Sequence, residues 1–145
     1  MSLDKLTDPK SFGPGLWLHI HSKARRATDD RKMRAFAEDM QEIVADIKCN
    51  ECRGHATKYL AEHPIEENFL LTEEEDGVEV NIGCFFWTWN FHNAVNARLR
   101  KPIVDWETAK SLFQLGEARS DVCTEDCGKA SLKKRRPLAA RIYGL

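Results

Sequence analysis

Five cysteines stand in three unequal groups: Cys49 and Cys52 form a C-x-x-C, Cys123 and Cys127 a C-x-x-x-C, and Cys84 is alone. Two thiols this close can join as a disulfide, reopen as a dithiol, or offer thiolates to a metal ion. A helix that starts at the pair favours the thiolate, because the free N–H groups of its first turn carry partial positive charge. A second constellation lies in Trp87-Thr-Trp-Asn-Phe-His-Asn-Ala-Val-Asn-Ala-Arg-Leu-Arg-Lys-Pro, where His92, Val95, Asn96 and Leu99 share one helix face. Buried imidazole and carboxamide groups are costly without hydrogen-bonding partners. A flat heteroaromatic ligand with ribose and phosphate groups would supply such partners. Each of these residues alone is most simply a satisfied core polar group; together with Trp17, His21 and the C-x-x-C they point to a bound redox cofactor. The cysteine spacing leaves two chemistries open. One is a redox dithiol; the other is a zinc-binding helical interaction module with Cys49, Cys52, Cys123 and Cys127 as a tetrahedral thiolate set.

The elements that must position these groups read as helices. Leu16, Trp17, Ile20, His21 and Ala24 recur at spacings of three and four, predicting a helix from about Pro14, a good first-turn residue, to Ala27. Thr28, Asp29 and Asp30 are cap candidates for a second helix whose stripe is Met33, Phe36, Met40, Ile43, Val44 and Ile47. A third runs from Glu51 to Glu62 until Pro64 stops it, so the C-x-x-C falls where one helix ends and the next begins. Between 65 and 82, Asn68-Phe-Leu-Leu-Thr and Val78-Glu-Val-Asn can form a small hairpin across Glu-Asp-Gly. A fourth helix is expected from Phe85 to about Arg100, and Asp105 can cap a fifth carrying Trp106, Ala109, Leu112 and Phe113. The fold class is therefore all-α, a helix bundle with a possible hairpin. Residues 1–145 read as one domain, with its core at about 12–119 and a tail at 120–145 that lacks an apolar stripe and carries the second cysteine pair and Lys133-Lys-Arg-Arg.

Bulk properties narrow the partners. A net charge of −1 with 31% charged residues gives no global basic field for nucleic acid. No run approaches the roughly 18 apolar residues of a membrane span, and the first residues lack the apolar core of a signal peptide, so a cytoplasmic location is expected. There, paired cysteines are more often redox-active or metal-bound than structural. Cys84, beside Phe85 and Phe86, reads as a small buried hydrophobe. His19 and His63 carry no motif and read as surface or structural, and Glu73 to Asp76 as a solvated loop.

Three motifs occur in order: Gly13-x-x-x-Trp17-x-x-x-His21-x-x-Ala24, Cys49-x-x-Cys52-x-x-His55, and His92-Asn93-x-Val95-Asn96-x-x-Leu99-x-Lys101-Pro102. With these, residues 12 to 113 resemble the Erv/ALR family of FAD-linked sulfhydryl oxidases, and within it the compact forms of large DNA viruses. The resemblance implies a four-helix bundle cradling FAD, a short fifth helix, and a homodimer. It implies cofactor contacts from Trp17, His21, His92, Asn93, Asn96 and Lys101, to which Gly13, His55, Val95, Leu99 and Phe113 are added as candidates. Cys52 matches the flavin-proximal thiol and Cys49 the outer thiol that exchanges with protein dithiols or a relay protein, with O2 as final acceptor and peroxide as product. Cys123 and Cys127 match a shuttle pair on a terminal segment. No metal is implied. For a viral protein the site of action would be the host cytoplasm or the virion.

Two departures stand out. Where many relatives join two cysteines in a structural disulfide, this chain has Trp89 and Trp106, which predicts that these two rings touch. Pro14 stands where relatives often carry Arg, so a cofactor contact from that side chain is missing.

Overall fold

Four of the five α-helices among the described residues begin after a residue whose side chain accepts a hydrogen bond from the first turn, and these caps set the frame. The computed structural model describes residues 3–115. Cys123, Cys127 and the basic run 133–136 lie outside the described residues. After a short 3-10 turn at Leu3–Thr7, helix α1 spans Pro9–Arg26, with Asp8 accepting from the Lys10 amide and Pro9 in the first turn, where a missing N–H costs nothing. The helix thus starts at Pro9 and not at Pro14. The apolar spacing begins only around Phe12, whereas the start is set by the Asp8-Pro9 cap; Pro14 is carried inside the helix, where it lacks the N–H that would bond the Lys10 carbonyl.

Helix α2 (Asp30–Asp46) is capped by Asp29 and buries Met33, Phe36, Met40 and Val44 of the expected stripe together with Ala37, while Ile43 and Ile47 are half-buried. Helix α3 (Asn50–Glu62) begins at Cys49. A 3-10 turn at Ile65–Asn68 leads to an antiparallel hairpin of β1 (Thr72–Glu75) and β2 (Val78–Asn81), registered from Thr72 opposite Asn81 to Glu75 opposite Val78. The first strand lies later than expected because the turn is the two-residue Asp76-Gly77, both with positive φ (51° and 79°), and a two-residue turn dictates which residues face each other.

Helix α4 (Gly83–Arg98) is the centre of the fold. It buries Cys84, Phe85, Trp87, Thr88, Phe91, His92 and Asn96, and packs against α1. It starts at a glycine because the chain passes too close for anything larger: a Cβ at Gly83 would sit 1.9 Å from the Asn68 carbonyl oxygen. Helix α5 (Trp106–Leu112), capped by Asp105, buries Ala109 and Leu112. The result is an all-α fold with one small hairpin, its core built around Ile20, Phe36, Met40, Phe85, Trp87 and Phe91.

Candidate functional site

The corner between α2 and α3 holds the C-x-x-C pair. Cys49 is the residue that caps α3: its Sγ accepts from the Cys52 amide at 3.2 Å, and the two cysteines are joined in a disulfide with Cα atoms 5.2 Å apart. Arg53 stiffens this corner by donating to the Ile47 carbonyl (2.9 Å) and to Asn50 Oδ1. Both sulfurs sit at a helix N-terminus, where a thiolate released by reduction is stabilised.

The pair forms part of the wall of a cleft of about 1210 Å3. Helix α1 contributes Gly13 and Trp17, α3 contributes His55, α4 contributes His92, Val95, Asn96 and Leu99, and the loop after α4 contributes Lys101. Ten of the thirteen candidates within the described residues, the two cysteines included, therefore meet on one surface. His21, Asn93 and Phe113 are not on that surface and stand behind it. His21 is buried at 1% exposure, with Nε2 2.7 Å from His92 Nδ1 and Nδ1 3.1 Å from Thr88 Oγ1. Asn93 clamps the loop: its amide donates to the Val104 carbonyl (2.8 Å) and its oxygen accepts from the Val104 amide (3.0 Å). The Phe113 ring lies 5.2 Å from His21.

Trp17 and His92 are stacked face to face, 3.9 Å apart and within 3° of parallel, with Phe91 set edge-on to Trp17 at 5.1 Å. Burial holds both imidazoles neutral. It carries His21 well below the usual histidine range, with the neighbouring His92 adding to the effect, and carries His92 to about 3, with the Lys101 charge adding. The cleft therefore offers a flat aromatic wall, neutral imidazole, a carboxamide from Asn96, and a cationic rim from Lys101 and Arg98.

Three contributors escaped the sequence reading. Tyr59 lines the cleft and its ring stacks on Phe91 at 4.9 Å; burial raises its phenol. Its place on the helical face of Cys52 and His55 was the available signal. Arg98 lies 3.8 Å from Glu51, which in turn lies 3.7 Å from His55, a row of polar side chains that all line the cleft. Thr88, one turn before His92, partners His21. Cys84 is as expected a buried hydrophobe, fully enclosed, its thiol pushed up to about 12 by burial and then by Glu66. His19 and His63 are exposed.

The two tryptophans touch, with ring centroids 5.3 Å apart in an edge-on arrangement. Each also spends its N–H: Trp89 donates to the Val104 carbonyl (2.7 Å) and Trp106 to Glu73 Oε1 (2.8 Å). Among the described residues, no group of three or more His, Cys, Asp or Glu side chains is placed to hold a metal ion, and no helix is long and apolar enough to cross a membrane.

Comparison with known proteins agrees with this geometry. The chain is 31% identical over 106 residues to the FAD-linked sulfhydryl oxidase of African swine fever virus (isolate Pig/Kenya/KEN-50/1950), covering 71% of this chain and 80% of the relative. The protein of that name from isolate Tick/Malawi/Lil 20-1/1983 gives the same 31% identity and the same coverage. Sulfhydryl oxidase 1 of Oryza sativa subsp. japonica is 28% identical over 107 residues, covering 74% of this chain and 19% of that larger protein. The sequence profile of the Erv1/Alr family matches residues 14–114, most of the described fold, and the chain belongs to that family.

Proposed function

We propose that the protein is an FAD-dependent thiol oxidase that forms disulfides in protein substrates. The observation that carries this reading is the Cys49–Cys52 disulfide set at a helix N-terminus in the wall of an aromatic cleft of about 1210 Å3. That volume lies above the usual ~300–1,000 Å3 for ligand pockets and suits a dinucleotide better than a small metabolite. The donor set fits as well. The stacked Trp17–His92 pair would offer planar rings an aromatic wall, Asn96 would hydrogen-bond them, and Lys101 and Arg98 would meet the phosphates.

In the exchange half-reaction a substrate thiolate attacks Cys49 Sγ, the Cys49–Cys52 bond breaks, and Cys52 leaves as thiolate. A second substrate thiolate then attacks the mixed disulfide and releases Cys49. The substrate has lost two electrons and two protons, and the pair is a dithiol. The N-terminal dipole of α3 stabilises each departing thiolate, and the Arg53 clamp keeps both sulfurs within reach of each other. When bound, FAD would supply a two-electron acceptor for the Cys49–Cys52 dithiol, with O2 as the final acceptor and peroxide as the product.

Purified protein should be yellow with a flavin spectrum and should consume oxygen when given dithiothreitol. A colourless preparation, or one holding stoichiometric zinc, would overturn the proposal. Cys123 and Cys127 are proposed as the pair that relays electrons from folded proteins to Cys49. Changing both to Ser should spare dithiothreitol oxidation and slow the oxidation of protein substrates. Action as a homodimer in the cytoplasm is part of the same proposal, checked by sedimentation and by fractionation of producing cells.

A further inference from the structure

Thr88 lies on α4 one turn before His92 and is fully enclosed. Its Oγ1 is 2.8 Å from the Phe85 carbonyl oxygen and 3.1 Å from His21 Nδ1, and His21 Nε2 is 2.7 Å from His92 Nδ1. A hydroxyl has one proton, so it can donate to only one of these two neighbours. Were the proton given to His21, two oxygens would face each other at 2.8 Å with lone pairs alone, a repulsive contact. With the proton on the Phe85 side, every short contact in the chain holds one. Thr88 donates to Phe85, His21 donates from Nδ1 to Thr88, and His92 donates from Nδ1 to His21 Nε2. The three groups then share one polarity.

We infer that Thr88 is a positioning residue whose hydroxyl fixes both imidazoles as Nδ1–H tautomers, so that His92 offers its Nε2 as a hydrogen-bond acceptor. The chain runs from the interior to the cleft wall, since His92 lines the cleft and His21 stands behind it. The Trp17 stack fixes the plane of the His92 ring while Thr88, two bonds away, decides where its lone pair lies. Burial is the supporting observation: neither ring gains a second proton near neutrality, so the tautomer is the only variable left. Resting on the proposed function, this sets the polarity of His92 toward the flavin nucleotide: an N–H or O–H suits its Nε2, and a carbonyl or phosphate oxygen does not.

Long-range proton–nitrogen correlation spectra of the flavin-bound protein, labelled with 15N-histidine, show which nitrogen of each ring carries the proton. Nδ1–H on both His21 and His92 is expected; a proton on Nε2 of His92 overturns the inference. Thr88→Val keeps the shape and removes the hydroxyl. It should mix or reverse the two tautomers and weaken flavin binding by about tenfold, the loss of roughly one good hydrogen bond. Thr88→Ser should restore both. Tautomers unchanged in Thr88→Val would equally defeat the assignment. The wild-type spectra decide the matter even in a protein that carries no flavin, whereas such a protein would defeat only the proposed function.

Discussion

Cys84 and Cys52 are both thiols on helices, and their surroundings give them opposite fates. Cys84 is sealed in the core with its pKa near 12, so it stays protonated and out of reach. Cys52 lies half-buried in the first turn of α3 on the cleft wall. In native protein treated with iodoacetamide after reduction, Cys49 and Cys52 should label and Cys84 should not, as mapped by mass spectrometry. Cys52→Ser should reduce oxygen consumption by roughly 10³-fold while the preparation keeps its flavin colour, because on the proposed chemistry its sulfur is a reacting atom. The histidine pair gives a pH signature. Above about 6.5 neither folded nor unfolded chain protonates these rings; below it the unfolded chain binds protons that the folded chain refuses, since both folded pKa values are lowered. Stability should therefore fall as pH drops from about 6.5 toward 3, by up to about 1.4 kcal/mol per pH unit for each ring. Urea midpoints measured at pH 7, 6, 5 and 4 check this, and His92→Gln should flatten the slope.

Helix ends explain most of how this site is held. At the end of α4 the Lys101 amide donates to the Asn96 carbonyl (2.8 Å) and the Arg100 amide to Ala97 (3.1 Å), the bonding pattern of a Schellman cap. That cap needs a left-handed residue, normally glycine, yet Arg100 fills it at φ 55°. Arg100→Gly should raise stability by about 1 kcal/mol in a denaturant titration. The turn so formed delivers Lys101 to the cleft, and Asn93 and Trp89 then pin Val104 beneath it. Asn93→Ala should cost about 1–3 kcal/mol, because it leaves the buried Val104 backbone groups short of partners. It should also weaken flavin binding through a loosened loop. These dependencies mark what could be read from sequence. The stripe of α2 and the Asp29 and Asp105 caps were legible because one helix face and one side chain decide them. The start of α1 was not, since a proline inside a helix looks like a helix start when Asp8-Pro9 is overlooked. The hairpin register turned on a two-residue turn with positive φ, and the placement of Asn93 behind the cleft depended on a loop contact eleven residues away that no periodicity encodes.

Taken together, the described bundle is held by packing and hydrogen bonds. Its one disulfide spans only three residues and removes little freedom from the unfolded chain, no more than about 2 kcal/mol. Calorimetry with and without excess reductant should therefore show a melting temperature lowered by only a few degrees, and a collapse of the transition would contradict this account. The anchoring of α5 is the feature with the widest reach. Its position depends on the Trp89–Trp106 contact, on two indole N–H groups and on the Glu73–Lys110 ion pair, none of which a thiol can cut. Given the proposed chemistry, the described bundle owes little of its shape to prior oxidation. The first copy to leave the ribosome in a glutathione-rich milieu can fold, take up its coenzyme and begin crosslinking others, so an oxidising pathway can be started from nothing.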